Sequence, residues 1–108
     1  MRMWNISPNE MCRAHLLGEH VEMHMFAGCL AKNKNLNGYV KKGLIETHNI
    51  ENRHNKLVKE MKRRGYNHNS PLPIRNIKGR AGIIDVNKNK EELSRRCKKC
   101  RKLMNLKL

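Results

Sequence analysis

One predicted helix near the start of the chain carries the residues best suited to chemistry. His15, Glu19 and Glu22 follow one another at intervals of four and three residues, so they share one face of that helix. Two carboxylates and an imidazole aligned in this way can move protons or stabilise a developing positive charge. Gly18, about one turn before Glu22, leaves space for a ligand to approach that carboxylate. The spacing alone favours an ordinary solvated polar face, so catalysis needs support from elsewhere in the sequence.

A second candidate for chemistry is the Cys-x-x-Cys pair formed by Cys97 and Cys100. A structural zinc ion needs four ligands, and the other two cysteines, Cys12 and Cys29, fall on a different predicted helix. The pair also lies on the apolar stripe of its own predicted helix, which favours core packing. We therefore predict no metal and no cofactor.

The chain is strongly basic, with 24 Lys and Arg residues against 9 Asp and Glu residues and a formal net charge of +15. Such a charge favours a polyanionic partner, and nucleic acid is the first candidate. The first 31 residues differ, because they hold two arginines against three glutamates. This contrast suggests a reactive site set within a phosphate-binding surface. The candidate phosphate contacts are Arg53, Lys56, Arg63, Arg64, Arg75, Lys78 and Arg80, together with the basic run at 95–102.

Neither a membrane nor export is expected for this sequence. The longest uninterrupted apolar stretch, residues 25–31, is far too short to cross a bilayer. Glu10, Arg13 and Glu19 argue against a signal peptide in the first twenty residues. We expect a cytoplasmic monomer with reduced thiols that works on the DNA of the nucleoid or, for a viral protein, of the infected cell.

The elements that position these residues are predicted to be helices within one compact all-α domain spanning residues 1–108. About three main helices with long connecting loops are expected. The first runs from Pro8 to about Ala31. Ser7 is its predicted N-cap, and Glu10 completes a capping box.

The second and third helices follow after polar loops. The second runs from about Asn49 to Arg64, where basic residues and then a glycine favour its end. A third, basic helix is predicted from about Asn89 to near the end of the chain, with Asn89 as its cap. Residues 66–85 contain prolines and glycines and are predicted to form a loop.

Two blocks of this sequence resemble the pyrimidine-dimer DNA glycosylase family of the phage endonuclease V type. The first block is Arg2 followed by residues 15–22, which read His-Leu-Leu-Gly-Glu-His-Val-Glu. The second is residues 53–67, which resemble the second long helix of that family and its exit. Both blocks have the order and spacing of the family, and the resemblance reaches residue 70 or so. It implies an all-helical fold whose amino terminus is threaded into the active site.

The resemblance also implies a reaction on double-stranded DNA that contains damaged bases or abasic sites. In that family the backbone amine of the first residue, here Met1, attacks the anomeric carbon of the sugar. An imine forms, the base leaves, and β-elimination breaks the strand. The essential glutamate of the family falls on Glu22, and Arg2, His15 and Glu19 are assigned to substrate binding. An α-amine, with an ordinary pKa of about 7.7–8.0, is partly neutral and nucleophilic near pH 7.

Two departures from the family affect which lesion is recognised rather than the chemistry of the amine and the carboxylate. Val21 and Met25 stand where the well-known phage member has arginines, and its aromatic carboxyl-terminal tail has no counterpart here. We predict a DNA glycosylase with abasic-site lyase activity that acts on pyrimidine-dimer DNA. The alternative is a non-catalytic basic protein that binds nucleic acid and retains the fold. The two hypotheses differ in one requirement: the enzyme needs a free α-amine beside Glu22, whereas the binding protein does not.

Overall fold

The computed structural model describes residues 1–68, 71–73, 77 and 79–104. Within those ranges the chain is all-α and contains no β-strand, as the sequence predicts. None of the helices in the described part is long and apolar enough to cross a membrane. The described residues form five α-helices and two 3-10 turns. In chain order they are the 3-10 turn Pro8–Glu10, α1 (Arg13–Ala31), α2 (Asn37–Lys41), the 3-10 turn Thr47–Asn49, α3 (Ile50–Arg63), α4 (Val86–Arg96) and α5 (Lys98–Leu103).

The start of the first helix differs from the sequence prediction. Pro8–Glu10 form a separate 3-10 turn, and α1 begins only at Arg13. The predicted capping box is absent, because the Ser7 side chain caps no backbone amide and instead donates a 2.6 Å hydrogen bond to the Oδ1 of Asn9. The break lets Met11 and Cys12 turn inward, where both are buried. This interruption puts two residues of the chain's beginning into the core.

The packing of α1 against α3 forms the centre of the fold. Leu16, Met23 and Phe26 of α1 are fully buried, as are Ile50 and Leu57 of α3. Burying one such side chain contributes roughly 1.5–3 kcal/mol relative to exposure. The bounds of α3 agree with the predicted second helix to within one residue at each end. These two helices supply the rigid platform that positions the site described below.

The carboxyl-terminal region folds as two helices rather than the single helix predicted. Helix α4 begins at Val86 and is capped by Asp85, whose side chain accepts a hydrogen bond from the amide of Lys88 at 3.1 Å. Asn89, the predicted cap, lies inside α4 and is buried. The chain turns at Cys97, where the backbone is extended, before α5 starts. The turn lets Cys100 and Met104 reach the core together with Leu93.

The segment before α4 is fixed by backbone and side-chain groups of residues 45–47. Thr47 accepts and donates hydrogen bonds with Ala81, and the amide of Ile84 donates to the Oε2 of Glu46 at 2.8 Å. Gly82 has a positive φ of 94°, and a Cβ placed there would lie 2.0 Å from the carbonyl oxygen of Ile45. Only glycine fits this close approach between two backbone segments.

Candidate active site at the amino terminus

The amino terminus of the chain lines a pocket of about 450 Å³ together with the charged face of α1. Met1, Glu19 and Glu22 are among its walls, and so is Gly18. The full lining is Met1, Arg2, Trp4, Ala14, His15, Gly18, Glu19, Glu22, Leu44 and Arg96. A Cβ built on Gly18 would meet no atom within 4 Å, so the space beside this residue is open. The fold therefore brings the first residue and the candidate carboxylates to one cavity.

Glu22 lies next to the first peptide of the chain. The backbone N–H of Arg2 donates a 3.4 Å hydrogen bond to the Oε2 of Glu22. Only the Cα and the carbonyl carbon of Met1 separate that amide nitrogen from the α-amine, and bond lengths keep the two nitrogens within about 4 Å of each other. The α-amine therefore lies no more than about 7 Å from the Oε2 of Glu22, and both residues line the same pocket.

The side chain of Arg2 ties the terminus to α4. Its guanidinium lies 3.8 Å from the centre of the Trp4 ring, forms an ion pair with Glu92 and donates to the Oδ1 of Asn89 at 2.7 Å. Arg2 is thus already held by a ring, a carboxylate and an amide, and its side chain is only 16% exposed. This arrangement positions the first peptide and leaves little of the guanidinium to meet a substrate.

The rest of the amino-terminal segment is locked into the core. The amide of Met3 donates a 2.7 Å hydrogen bond to the carbonyl of Leu44, and the side-chain amide of Asn89 donates to the carbonyl of Trp4 at 2.9 Å. Met3, Trp4 and Ile6 are all buried. A terminus anchored on three sides in this way has a defined position, unlike the frayed termini of most domains.

Glu19 and Arg53 form a buried ion pair. The Nε of Arg53 donates to one carboxylate oxygen of Glu19 at 2.6 Å and the Nη2 donates to the other at 2.8 Å. Arg53 is 2% exposed, so little of the guanidinium that the sequence assigns to phosphate binding is available to a phosphate. Its burial follows from the α1–α3 packing, which the periodicity of α3 alone does not reveal. Glu19 lines the pocket, but both of its oxygens are already bound by Arg53.

The other candidate phosphate contacts divide into several groups. Lys56, Arg63 and Arg80 are exposed, and the first two line a second groove of about 390 Å³ with Lys59. Arg63 is also paired with Glu60. Arg64 is partly buried and clamps the first turn of the chain, because its Nη2 donates to the carbonyl of Met11 at 2.6 Å and its Nε pairs with Glu60. Arg75 and Lys78 lie outside the described residues.

Arg96 is a pocket residue that the sequence does not single out. It belongs to a run of basic residues, and nothing in that run distinguishes it. The structure places Arg96 at the pocket, with its guanidinium 5.9 Å from the centre of the Trp4 ring and 3.5 Å from a carboxylate oxygen of Glu92. An exposed arginine at the pocket wall can bind a phosphate that flanks an occupant of the pocket.

His15 lies on the pocket wall and also beside two cysteines. Its Nδ1 is 3.2 Å from the Sγ of Cys12 and 3.6 Å from the Sγ of Cys100. Cys97 completes the group, with its Sγ 3.8 Å from that of Cys12. Cys100 packs in the core and Cys97 packs against it, as the sequence predicted, but the fold also brings Cys12 to this pair from the start of α1. These four side chains have the donor atoms to hold a metal ion.

A second cluster consists of four histidines between α1, α3 and the segment after α3. His20, His24, His54 and His68 have one ring nitrogen each within 4.8 Å of one another. Burial, with further contributions from the neighbouring histidines, lowers the pKa of His20 to about 4, and burial also lowers the pKa of His54. At neutral pH these two rings are uncharged, so they can donate or accept through either nitrogen depending on the tautomer.

Comparison with known proteins identifies the family of this chain. The family described as pyrimidine dimer DNA glycosylase matches residues 1–73. No curated protein and no solved structure matches the chain. The matched region contains Met1, Glu22 and all of α1 and α3, and it covers well over half of the sequence. The chain therefore belongs to the pyrimidine dimer DNA glycosylase family, a family of DNA-repair glycosylases.

Proposed function

We propose that this protein excises damaged pyrimidines from DNA and then cleaves the strand at the resulting abasic site. The observation that carries the proposal is that Met1 and Glu22 line one pocket, with the amide of Arg2 3.4 Å from the Glu22 carboxylate. The family membership supports the glycosylase step. The lyase step and the roles of individual residues rest on the chemistry of the pocket.

The proposed nucleophile is the α-amine of Met1. Its nitrogen attacks C1′ of the sugar, and the bond between C1′ and the base breaks with its electron pair leaving on the base. Opening of the sugar ring gives a protonated imine. Loss of a proton from C2′ then expels the 3′ phosphate with the electrons of the C3′–O bond. No cofactor is needed for this sequence of steps.

Glu22 is the proposed acid–base group and electrostatic partner. A carboxylate close to the amine stabilises the positive charge that develops on the sugar and on the imine. It can also accept the proton that the amine loses and return one to the ring oxygen, and such transfers typically accelerate a step by about 10²–10⁴-fold. The hydrogen bond from the Arg2 amide holds the carboxylate toward the start of the chain.

Binding of DNA is assigned to cations around and beyond the pocket. Arg96 is positioned to bind a phosphate beside the reacting nucleotide, and Lys56, Arg63 and Arg80 offer exposed charges for more distant phosphates. A flipped nucleotide is needed for the amine to reach C1′, and unstacking it requires a few kcal/mol, which damage reduces. Val21 and Met25, each about half exposed on α1 and within three residues of Glu22, offer apolar surface for contact with DNA bases.

Trapping of the imine with borohydride tests this reaction. Untagged protein is incubated with duplex DNA carrying either an abasic site or a cyclobutane pyrimidine dimer, and covalent adducts are resolved on a denaturing gel. We expect adducts with both substrates from the protein with a free Met1. Two or three residues added before Met1 should abolish them, and mass spectrometry of the untagged protein confirms which residue bears the amine.

Variants of single carboxylates separate catalysis from binding. Glu22→Gln should slow strand cleavage by at least about 100-fold, within the range of acid–base catalysis, while the salt dependence of DNA binding stays unchanged. Glu91→Gln, an exposed change on α4, is the matched control and should cleave normally. Salt-sensitive DNA binding without any adduct would instead identify a non-catalytic nucleic-acid-binding protein. Undiminished trapping by the extended protein would point to a lysine as the nucleophile.

A further inference from the structure

We propose that Cys12, His15, Cys97 and Cys100 form a binding site for one zinc ion. Each residue offers one ligand atom, and all four atoms lie within 4.8 Å of one another. Three thiols and one imidazole are a common ligand set of structural zinc sites. This inference does not depend on the reaction proposed above.

Three distances within the cluster are close to the ligand separations of a tetrahedral zinc ion. With zinc–sulfur bonds near 2.3 Å and zinc–nitrogen bonds near 2.0–2.1 Å, the edges of the tetrahedron are about 3.8 Å between sulfurs and about 3.5 Å between sulfur and nitrogen. The two sulfurs of Cys12 and Cys97 are 3.8 Å apart. The Nδ1 of His15 is 3.2 Å from the Sγ of Cys12 and 3.6 Å from that of Cys100.

The surroundings of the sulfurs also suit thiolate ligands. The amide of Cys12 donates to the Sγ of Cys100 at 3.2 Å, and the amide of Cys100 donates to the Sγ of Cys97 at 3.4 Å. Such N–H donors stabilise negative charge on sulfur. A disulfide does not account for the cluster, because all four cysteines of the chain are free and the Cys12–Cys97 separation is far from a bond of about 2.05 Å.

The position of the site indicates a structural role. Four protein ligands fill a tetrahedral zinc ion and leave no open position for substrate. The ion would join the start of α1 to the junction of α4 and α5, across 85 residues of sequence. The same α4 carries Asn89 and Glu92, which hold the side chain of Arg2, and Arg96, which lines the pocket. Since His15 contributes Nδ1 to the metal, any contact of His15 with substrate would rest on Nε2.

Metal content and cobalt substitution test the site. Untagged protein purified without chelator should contain zinc that survives dialysis. After the metal is replaced by Co²⁺, the protein should show the near-ultraviolet thiolate-to-cobalt absorption and the visible bands of a tetrahedral site. Cys100→Ser should lose most of the thiolate absorption. Cys29→Ser is the matched control, because Cys29 is the one cysteine outside the cluster, and it should keep the full spectrum.

A measurement on the unaltered chain covers the case in which Cys100→Ser does not fold. Stepwise modification of the wild-type thiols with a mercurial reagent should release the bound zinc in parallel with the loss of cysteine ligands. Protein that binds neither Zn²⁺ nor Co²⁺ stoichiometrically overturns the proposal. An equal loss of the thiolate absorption in Cys29→Ser overturns it as well.

A different observation supports a second metal site at the four histidines. The Nε2 atoms of His20 and His68 are buried and have no hydrogen-bond partner among the described residues. The Nε2 atoms of His24 and His54 lie 3.1 Å apart, close to the edge of about 3.3 Å expected for two imidazoles on one zinc ion. The Nδ1 of His54 meets the Oδ1 of Asn55 at 3.2 Å, a contact that orients Nε2 toward the cluster. We propose that this cluster binds a second zinc ion.

The two sites are distinguishable because only one contains sulfur. Titration of metal-free protein with Co²⁺ should show a second equivalent whose binding adds visible absorption without thiolate absorption. His68→Ala should remove that equivalent and leave the thiolate signal intact. His48→Ala, a histidine outside the cluster, should retain both. If wild-type protein takes up only the thiolate-bound metal, the second site does not exist.

Discussion

The side-chain amide of Asn89 donates a 2.9 Å hydrogen bond to the carbonyl oxygen of Trp4, while its Oδ1 accepts one from the guanidinium of Arg2 at 2.7 Å. One buried side chain of α4 thus holds the first residues of the chain through both of its polar atoms. The position of the amino terminus is therefore coupled to a residue that lies 85 positions beyond Trp4.

Removing this amide should misplace the nucleophile rather than weaken DNA binding. Asn89→Ala leaves buried polar groups without partners, which typically destabilises a protein by about 1–3 kcal/mol. We expect a lower free energy of unfolding and at least a tenfold slower imine trapping at saturating DNA. Urea denaturation and single-turnover trapping measure the two effects. Asn87→Ala, an exposed change on the same helix, should alter neither. Normal trapping by Asn89→Ala would show that the hydrogen bonds of Asn89 do not position the amino terminus for reaction.

The buried pair of Arg53 and Glu19 should matter for stability and not for phosphate binding. Arg53→Ala leaves the Glu19 carboxylate unpaired in the core, a change that usually destabilises by about 3–5 kcal/mol. A double replacement, Glu19→Leu with Arg53→Met, should recover most of that loss. Lys56→Ala, exposed on the same helix, should lower the salt dependence of DNA affinity and leave the denaturation midpoint unchanged. A weaker salt dependence in a stable Arg53→Ala protein would identify Arg53 as a phosphate contact.

Acid should weaken the contacts of Glu60 and Arg64 that join α3 to the 3-10 turn Pro8–Glu10 and Met11. Hydrogen bonds from Arg63, then from Arg64, hold the pKa of Glu60 below its ordinary value of 4.5, although burial opposes this. A carboxyl with a lowered pKa in the folded state stabilises that state above pH 4.5, and the contribution is lost as the pH falls through the lowered value. Urea midpoints of the wild type should therefore fall more steeply below pH 4.5 than those of Glu60→Gln. Glu91→Gln should follow the wild type, and parallel curves for all three proteins would exclude this role of Glu60.

Filling the open space at Gly18 should block the pocket without harming the fold. A Cβ at this position meets nothing within 4 Å, so Gly18→Leu is sterically possible and improves helix propensity by about 1 kcal/mol. We expect an unchanged or higher melting temperature with at least a tenfold loss of trapping on abasic DNA. Gly28→Leu is the matched control on the same helix, since Gly28 has equal room but lies outside the pocket. Full activity of Gly18→Leu would show that substrate does not enter beside Gly18.

Local patterns in the sequence predict the long helices well and their beginnings less well. The apolar periodicity of residues 50–61 predicts α3 to within one residue at each end. The capping signal at Ser7 predicts α1 too early, because burial of Met11 and Cys12 in the core outweighs continuation of the helix. Similarly, the basic carboxyl-terminal run reads as one helix, whereas the chain breaks at Cys97 and packs α5 separately. Local helix propensity predicts that each segment is helical, but tertiary packing determines the residue at which each helix begins or ends.

The sequence by itself determined the all-α class and the alignment of His15, Glu19 and Glu22, because helical periodicity and motifs are local properties of the chain. Only the tertiary structure decided which of these residues are free to act. It buried Arg53 against Glu19 across 34 residues, put Arg96 at the pocket and joined Cys12 and His15 to Cys97 and Cys100 across 85 residues. Such partnerships depend on how helices pack, and no local pattern records the packing.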